Sequence, residues 1–269
     1  MATRLPRILG RFWATALAAE LEYRANLFTE LLAVTGNLAG SLLVLRLLMG
    51  HGQRLGGWSW DGALVVLGLY TLLDGVTSCL LQPNLSRIVG HVQNGTLDFV
   101  LLKPLDSQLW LSTRQLSPWG LPALVAGVVL IGIGVAGSRA SGAALGAASP
   151  QALLLGTVLM LCAMAILYSL WFLLAGLSIW FVKVWNATEV LRSTLVAGRY
   201  PLQAYPSALR WLFTLVLPVA FLTTVPAEAL LGQAQGQWVG GSLLAALLCL
   251  IGTRLFWHRA LRHYTSASS

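Results

Sequence analysis

QNGTLDFVLLKPLDSQLW, from Gln93 to Trp110, is a polar, turn-rich stretch set between two long apolar runs. Asn94-Gly95 is a turn or helix stop, Lys103-Pro104 ends a helical turn, and Asp106 stands where a helix N-cap belongs. Thr96 is placed to cap a short helix over Leu97–Leu102, and Ser107 to Trp110 lead into the next apolar run. A stretch this polar and this broken does not cross a bilayer. The runs on either side therefore meet the same membrane face, and the chain is organised around a short, stiff knob between them.

Immediately upstream, Leu85, Ile88, Val89 and Val92 recur at i, i+3, i+4 and i+7, with Arg87 and His91 on the other face. That spacing predicts a short amphipathic helix after Pro83-Asn84, which end the preceding apolar run. Residues 83–115 together read as helix, turn, short helix, turn, helix. Stiffness matters here, because a rigid connection transmits force and a slack one does not.

Composition agrees with a membrane setting. Of 269 residues, 57% are hydrophobic and 10% charged, with a mean hydropathy of +0.75. Soluble domains carry about a quarter of their residues as charges. Six apolar stretches are long enough to span: Leu27–Met49, Asp61–Leu81, Pro118–Gly137, Gln151–Phe172, Trp211–Leu231 and Trp238–Phe256. The fifth is divided by Pro218 and Pro226, so its far end is a candidate to fold back into the membrane. Arg4 to Arg24 precedes them as an amphipathic helix suited to the headgroup plane, in contact with membrane lipids. No cleavable signal peptide is evident.

Orientation follows from the basic residues. Arg4, Arg7, Arg11, Arg24, Arg87, Lys103, Arg114, Lys183, Arg192, Arg199, Arg210, Arg254, Arg259 and Arg262 fall in segments on one side, against Arg54 and Arg139 on the other. Positive segments stay inside, so both termini are expected in the cytoplasm. The expected fold class is an all-α polytopic membrane protein, one transmembrane domain over residues 1–269. It has six transmembrane helices, an N-terminal amphipathic interfacial helix and both termini cytoplasmic. The net charge of +8 then reflects topology and not nucleic-acid binding. The remaining loops are short or glycine-rich, and most of the tryptophans sit near span ends as an aromatic belt.

Charges inside the apolar runs are the other candidates for function. Glu30, Arg46 and Asp74 lie in or near spans, and Glu228 lies near the far end of the fifth. A central charge costs roughly 2.5–3.5 kcal/mol on the insertion scale, so each needs a partner or water. Asp74 is a candidate to line a pathway, to pair with Arg46, or to bond a nearby Ser or Thr. Arg46 and Glu30 have the alternative of reaching the interface, and Glu228 of shaping an outer gate or meeting solvent. Cys79, Cys162 and Cys249 lie in apolar runs without ligand spacing, and no two histidines share ligand spacing on a membrane helix, so no metal site is expected. The chain has no G-x-x-x-x-G-K-[ST] loop, and its two lysines, Lys103 and Lys183, follow no glycine run.

GTLDFVLLKPLDSQLW, preceded by RIVGHVQN, resembles the cytoplasmic loop of permeases of the second class of ABC exporters. That group carries Gly-Thr-Leu-acidic, then a leucine-rich turn and a proline. Lys103 before Pro104 and Gln108 four residues after it are similar to one branch of the group. GRYPLQAYPSALRWLFTLVLPVAFLTTVPAEALLG, from Gly198 to Gly232, resembles the same branch's fifth-span region. The resemblance implies a permease subunit that pairs with a second permease, identical or related, each seated on a separate cytoplasmic ABC ATPase subunit. It implies docking by Gly95, Thr96, Leu97, Asp98, Leu102, Lys103 and Pro104, and export as the direction. It leaves this chain without catalytic residues or cofactors of its own, the partner binding ATP and Mg, and places it in the bacterial inner (plasma) membrane. The residues by themselves leave two other readings open: a proton-coupled secondary transporter using Asp74 or Glu30, and an intramembrane enzyme. The second lacks a histidine inside any span to serve as base.

Overall fold

The computed structural model describes residues 10, 13–15, 24–50, 54–144, 146–181 and 185–264. Among them the regular structure is helical, and five helices are long and apolar enough to cross a membrane. Most of Arg4–Arg24, expected as a surface helix, lies outside the described residues. Within it, Trp13 Nε1 donates to the Thr113 carbonyl at 2.9 Å.

Helix α1 covers Arg24–Leu48 and α2 covers Trp60–Val76, followed by a wide π turn over Thr77–Leu81. The Ser59 hydroxyl caps α2 by accepting from Gly62 N–H at 3.2 Å. Pro83 was expected to end this run, yet α3, Gln82–Gln93, continues it directly. The reason is local. Proline lacks the N–H that would bond the carbonyl four residues back, at Cys79. Ser117 N–H takes that carbonyl at 2.9 Å. Asn84, buried, fastens the same joint. Its amide donates to the Leu80 and Gln115 carbonyls at 2.7 Å each and accepts from Gln115 N–H at 2.8 Å. The predicted amphipathic face of α3 is present: Leu85, Ile88 and Val89 are buried, and Val92 packs against the same core.

Helix α4 spans Leu97–Leu101 and α5 spans Ser107–Thr113. A 3-10 turn at Pro118–Gly120 leads into α6, Leu121–Ala140. α2 and α6 lie backbone against backbone. A Cβ added to Gly68 would sit 2.9 Å from the Gly127 carbonyl oxygen, and one added to Gly127 would sit 2.8 Å from that of Gly68. Gly120 and Gly134, seven residues either side of Gly127, meet Gly75 and Asp61 backbone at similar range. Small residues at such a seam let helices approach where apolar burial alone gives no drive.

Helix α7, Pro150–Gly176, starts on a Ser149 cap and runs through the centre of the bundle. Leu159, Ile166, Leu167 and Phe172 on it are fully buried. Helix α8 covers Trp185–Leu195, and a 3-10 turn follows at Val196–Arg199. The chain is extended at Tyr200 and closes this climb with a second 3-10 turn at Leu202–Ala204. The last long helix, α11 in chain order, covers Gly236–His263.

The expected fifth span, Trp211–Leu231, is not one helix. Helix α9, Ser207–Trp211, passes into a π turn at Leu212–Val216, and the backbone leaves helical geometry at Leu217. Pro218 causes this, since it disfavours helical geometry in the residue before it and removes a donor. A second π turn at Ala220–Thr224 then leads into α10, Val225–Leu230.

A further difference concerns residues 185–203, expected in a single loop together with Arg210. They climb beside α2 in three rungs. Arg192 faces Asp74 at 4.0 Å, Arg199 lies over the Tyr70 ring at 5.0 Å, and Gln203 Oε1 accepts from Trp58 Nε1 at 3.0 Å. Gln203 is thus at the Trp58 end of the bundle, opposite Asn94. Arg210 lines a cleft there with Trp238. Grouping Arg192, Arg199 and Arg210 with the basic residues of the Asn94 end is therefore corrected. Leucines and valines on α1, α6 and α11 point outward, including Leu32, Leu47, Val125, Val128, Leu248 and Leu255. An apolar exterior of this extent suits lipid or a second membrane chain.

Candidate functional site

The knob is built from caps and one left-handed residue. α3 ends as Asn94 N–H bonds the Gly90 carbonyl at 2.9 Å and Gly95 adopts φ +66. Glycine takes that conformation without the clash a Cβ would bring. Thr96 does not cap α4; its hydroxyl bonds His91 Nδ1 at 2.7 Å, tying the turn back to α3. Asp106 does cap α5, accepting from Leu109 N–H at 2.9 Å.

Within α4 the faces divide sharply. Leu97 and Val100 are buried, while Phe99 is 68% exposed and Leu102 is 81% exposed. Of the expected docking residues, Leu102, Lys103 and Pro104 are exposed at the tip, and Gly95, Thr96 and Asp98 are half-buried behind it. Leu97 is fully buried and packs into the core. Phe99 was missed, although the i, i+3 spacing of Leu97 and Val100 carried the signal: with those two inward, residue 99 points out. Lys103 folds back, its Nζ 3.8 Å from the centre of the Trp110 ring. Burial and the nearby Arg114 lower the pKa of its ammonium. Asp98 lies beside Tyr264, just past α11.

Behind the knob, α5 and its cap are bonded to α7 and α11. Asp106 Oδ2 accepts from Arg254 Nη2 on α11, at 2.5 Å. That hydrogen bond holds the Asp106 carboxyl below the usual carboxylate range; partial burial opposes it and the Leu109 N–H assists.

The intramembrane charges gather elsewhere. Asp74 on α2 meets Arg192, and Arg199 Nη1 donates to the Ser41 hydroxyl of α1 at 3.3 Å. Asp74 does not pair with Arg46, which points outward from α1. A cleft of about 210 Å³ opens beside this cluster, and Glu30, Asn37, Ser41 and Asp74 are among its walls. A second, smaller cavity of about 30 Å³ shares Tyr70, Asp74 and Arg192 with it and is also lined by Val219 and Thr223. Glu228 is at the other end of the bundle. It accepts from Gln203 Nε2 at 3.1 Å, between clefts of about 330 and 300 Å³. The structure thus joins Asp74 to two arginines that sequence reasoning placed in a loop, and keeps Glu228, Arg46 and the knob apart from them.

The sequence profile of the ABC-2 family transporter proteins matches residues 35–268. The chain belongs to that family, and with its five long apolar helices it is a multi-pass membrane protein, the permease component of an ABC transporter. No curated protein and no solved structure matches it.

Proposed function

We propose that this chain is the membrane-spanning half of an ATP-driven exporter, paired with a second permease, identical or related, and energised by a separate cytoplasmic ABC ATPase. The observation that carries this reading is the tip of the knob. Phe99 stands exposed on the five-residue α4 and Leu102 just past its end, next to the exposed Lys103 and Pro104. Large apolar side chains on a rigid polar turn suit a groove on another protein better than water. The ATPase binds ATP and Mg, since this chain offers no phosphate loop. Export, and not import, comes from the resemblance of the loop.

In this reading six crossings remain, but the fifth is residues 185–203. Residues 207–231 form a hairpin that dips into the membrane from the outer side, its tip at Pro218. Arg87, Lys103, Arg114, Arg254, Arg259 and Arg262 stay at the Asn94 end, against Arg54, Arg139 and Arg210 at the other, so the Asn94 end faces the cytoplasm. Irregular backbone at membrane depth is tolerated where it is enclosed by protein, and Val219, Ala220, Leu222 and Thr223 at the hairpin's inner end are buried.

The test is copurification with the ATPase and stimulation of its hydrolysis in lipid vesicles. Leu102→Asp is expected to abolish both. A chain that transports in vesicles holding no ATPase, under a proton gradient alone, would overturn the proposal in favour of a proton-coupled carrier.

A further inference from the structure

Five side-chain hydrogen bonds connect α5 and its cap Asp106 to α7 and α11, between residues 56 to 150 apart in sequence. Gln108 uses both ends of its amide. Its Oε1 accepts from Arg254 Nη1 at 3.1 Å, and its Nε2 donates to the Tyr168 hydroxyl at 3.2 Å. Ser112, one turn on, meets the same Tyr168 hydroxyl at 2.9 Å. Arg254 spends its other terminal nitrogen on Asp106, and Trp257, one turn further along α11, donates Nε1 to the Ser107 hydroxyl at 3.0 Å. Trp257 is fully buried and its ring meets Phe172 of α7 edge-on at 5.2 Å. The set therefore sits on an apolar floor shared by α7 and α11.

We propose that this network is the coupling clamp of the transporter: α5 is keyed to α7 and α11, and Arg254 is the positioning residue through which movement of the knob reaches those helices. Position in the chain favours it. Asp106 is two residues beyond Pro104, so the clamp begins where the docking tip ends, and little slack separates them. Chemistry favours it too. A guanidinium presents its donors in a planar fork, so one side chain fixes both Asp106 and Gln108, whereas a lysine ammonium serves as a single point. The Asp106–Arg254 pair is itself partly exposed, so the joint's hold comes from the five bonds acting together and not from that pair alone.

This inference rests on the docking reading above, and its test separates the two. Gly132 on α6 and Gly240 on α11 have open space around them and accept cysteine and spin labels, in a chain whose three native cysteines are replaced. The complex copurified with its ATPase, in lipid nanodiscs, is measured without nucleotide and trapped with ATP and vanadate. Trapping is expected to shift the label distance in the parent. Arg254→Lys and Asp106→Asn are expected to lose that shift while the ATPase still copurifies in parental amount. The exchanged pair, Asp106→Arg with Arg254→Asp, is expected to regain part of it, which a merely misfolded variant would not do. An undiminished shift in Arg254→Lys with ATPase bound overturns the clamp and leaves docking standing. A parent that binds no ATPase overturns both.

Discussion

Asp74 and Arg192 oppose each other at 4.0 Å from elements more than a hundred residues apart, and each side chain keeps about a third or more of its surface exposed, 32% and 41%. In water such a pair contributes about 0–1 kcal/mol. Next to lipid the partner left behind matters more than the pair, because a lone charge at a helix centre costs about 2.5–3.5 kcal/mol on the insertion scale.

Arg192→Gln is therefore expected to lower thermal stability more than the double variant Asp74→Asn with Arg192→Gln, by about 1–3 kcal/mol of non-additivity. Melting of the detergent-purified chain measures it. With Asp74→Asn measured alone as well, single effects that simply sum to that of the double variant would show the two groups to be independent.

Leu97 and Phe99 separate folding from docking. Leu97→Ala is expected to destabilise by about 2–5 kcal/mol, since its side chain is fully buried. Phe99→Asp is expected to change stability by about 0.5 kcal/mol or less, yet to remove ATPase binding. Melting and copurification on the same preparations give both answers.

Gly127 and Gly132 lie on the same helix with opposite surroundings. A Cβ at Gly127 would meet Leu72 N at 2.6 Å, whereas nothing lies within 4 Å of one at Gly132. Gly127→Ala is expected to cost about 1–3 kcal/mol through forced separation of α2 and α6. Gly132→Ala is expected to be neutral or slightly stabilising, as Ala is the better helix former.

Asp106 gives the clamp a pH signature. Its carboxyl is held low in the folded chain, so its contribution is present above the ordinary carboxylate value of about 4 and is lost as pH falls through the lower folded value. The destabilisation caused by Asp106→Asn is expected to be the same at pH 7 and pH 5.5 and to shrink only below about pH 4. A penalty that fades between pH 7 and pH 5.5 would contradict the assignment.

Ser207 tests the path of residues 185–231. With cysteine at Ser207, an impermeant maleimide added to sealed cells is expected to label the chain, and cysteine at Asn94 is expected to stay protected. Protection at both positions would restore the loop assignment made from charge alone.

Much of this was legible in the residues. The spacing of Leu85, Ile88, Val89 and Val92 marked the buried face of α3, and Asp106 announced the start of α5. Five of the six apolar runs became long helices, though the second continues through α3 to Gln93 and the last runs past Phe256 to His263. The failure at Trp211–Leu231 has its cause in Pro218, whose ability to break the run was visible but whose outcome depended on distant partners: Gly198 lies close to Val219 and Thr223, and Leu202 N–H donates to the Thr224 hydroxyl at 3.2 Å. Arg192 and Arg199 misled for a different reason. Counting basic residues by segment takes no account of distant partners, and Asp74, Tyr70 and Ser41 are each more than a hundred positions away. The same distance hid the clamp: nothing near Gln108 in sequence points to Tyr168 or Arg254. The glycines at 120, 127 and 134 did carry a signal in their seven-residue interval, one that apolar periodicity passes over.

Where the bundle meets the amphipathic helix below it, Pro83 leaves the Cys79 carbonyl to Ser117, and Asn84 grips Gln115 on both sides. Flexing there would strip an amide and a carbonyl of partners at a buried joint, at about 1–3 kcal/mol apiece. A proline that in another setting makes an elbow has here been welded. In the proposed cycle, a push along α3 is expected to pass into α2 at this weld, and the parts that yield are expected to lie beyond it.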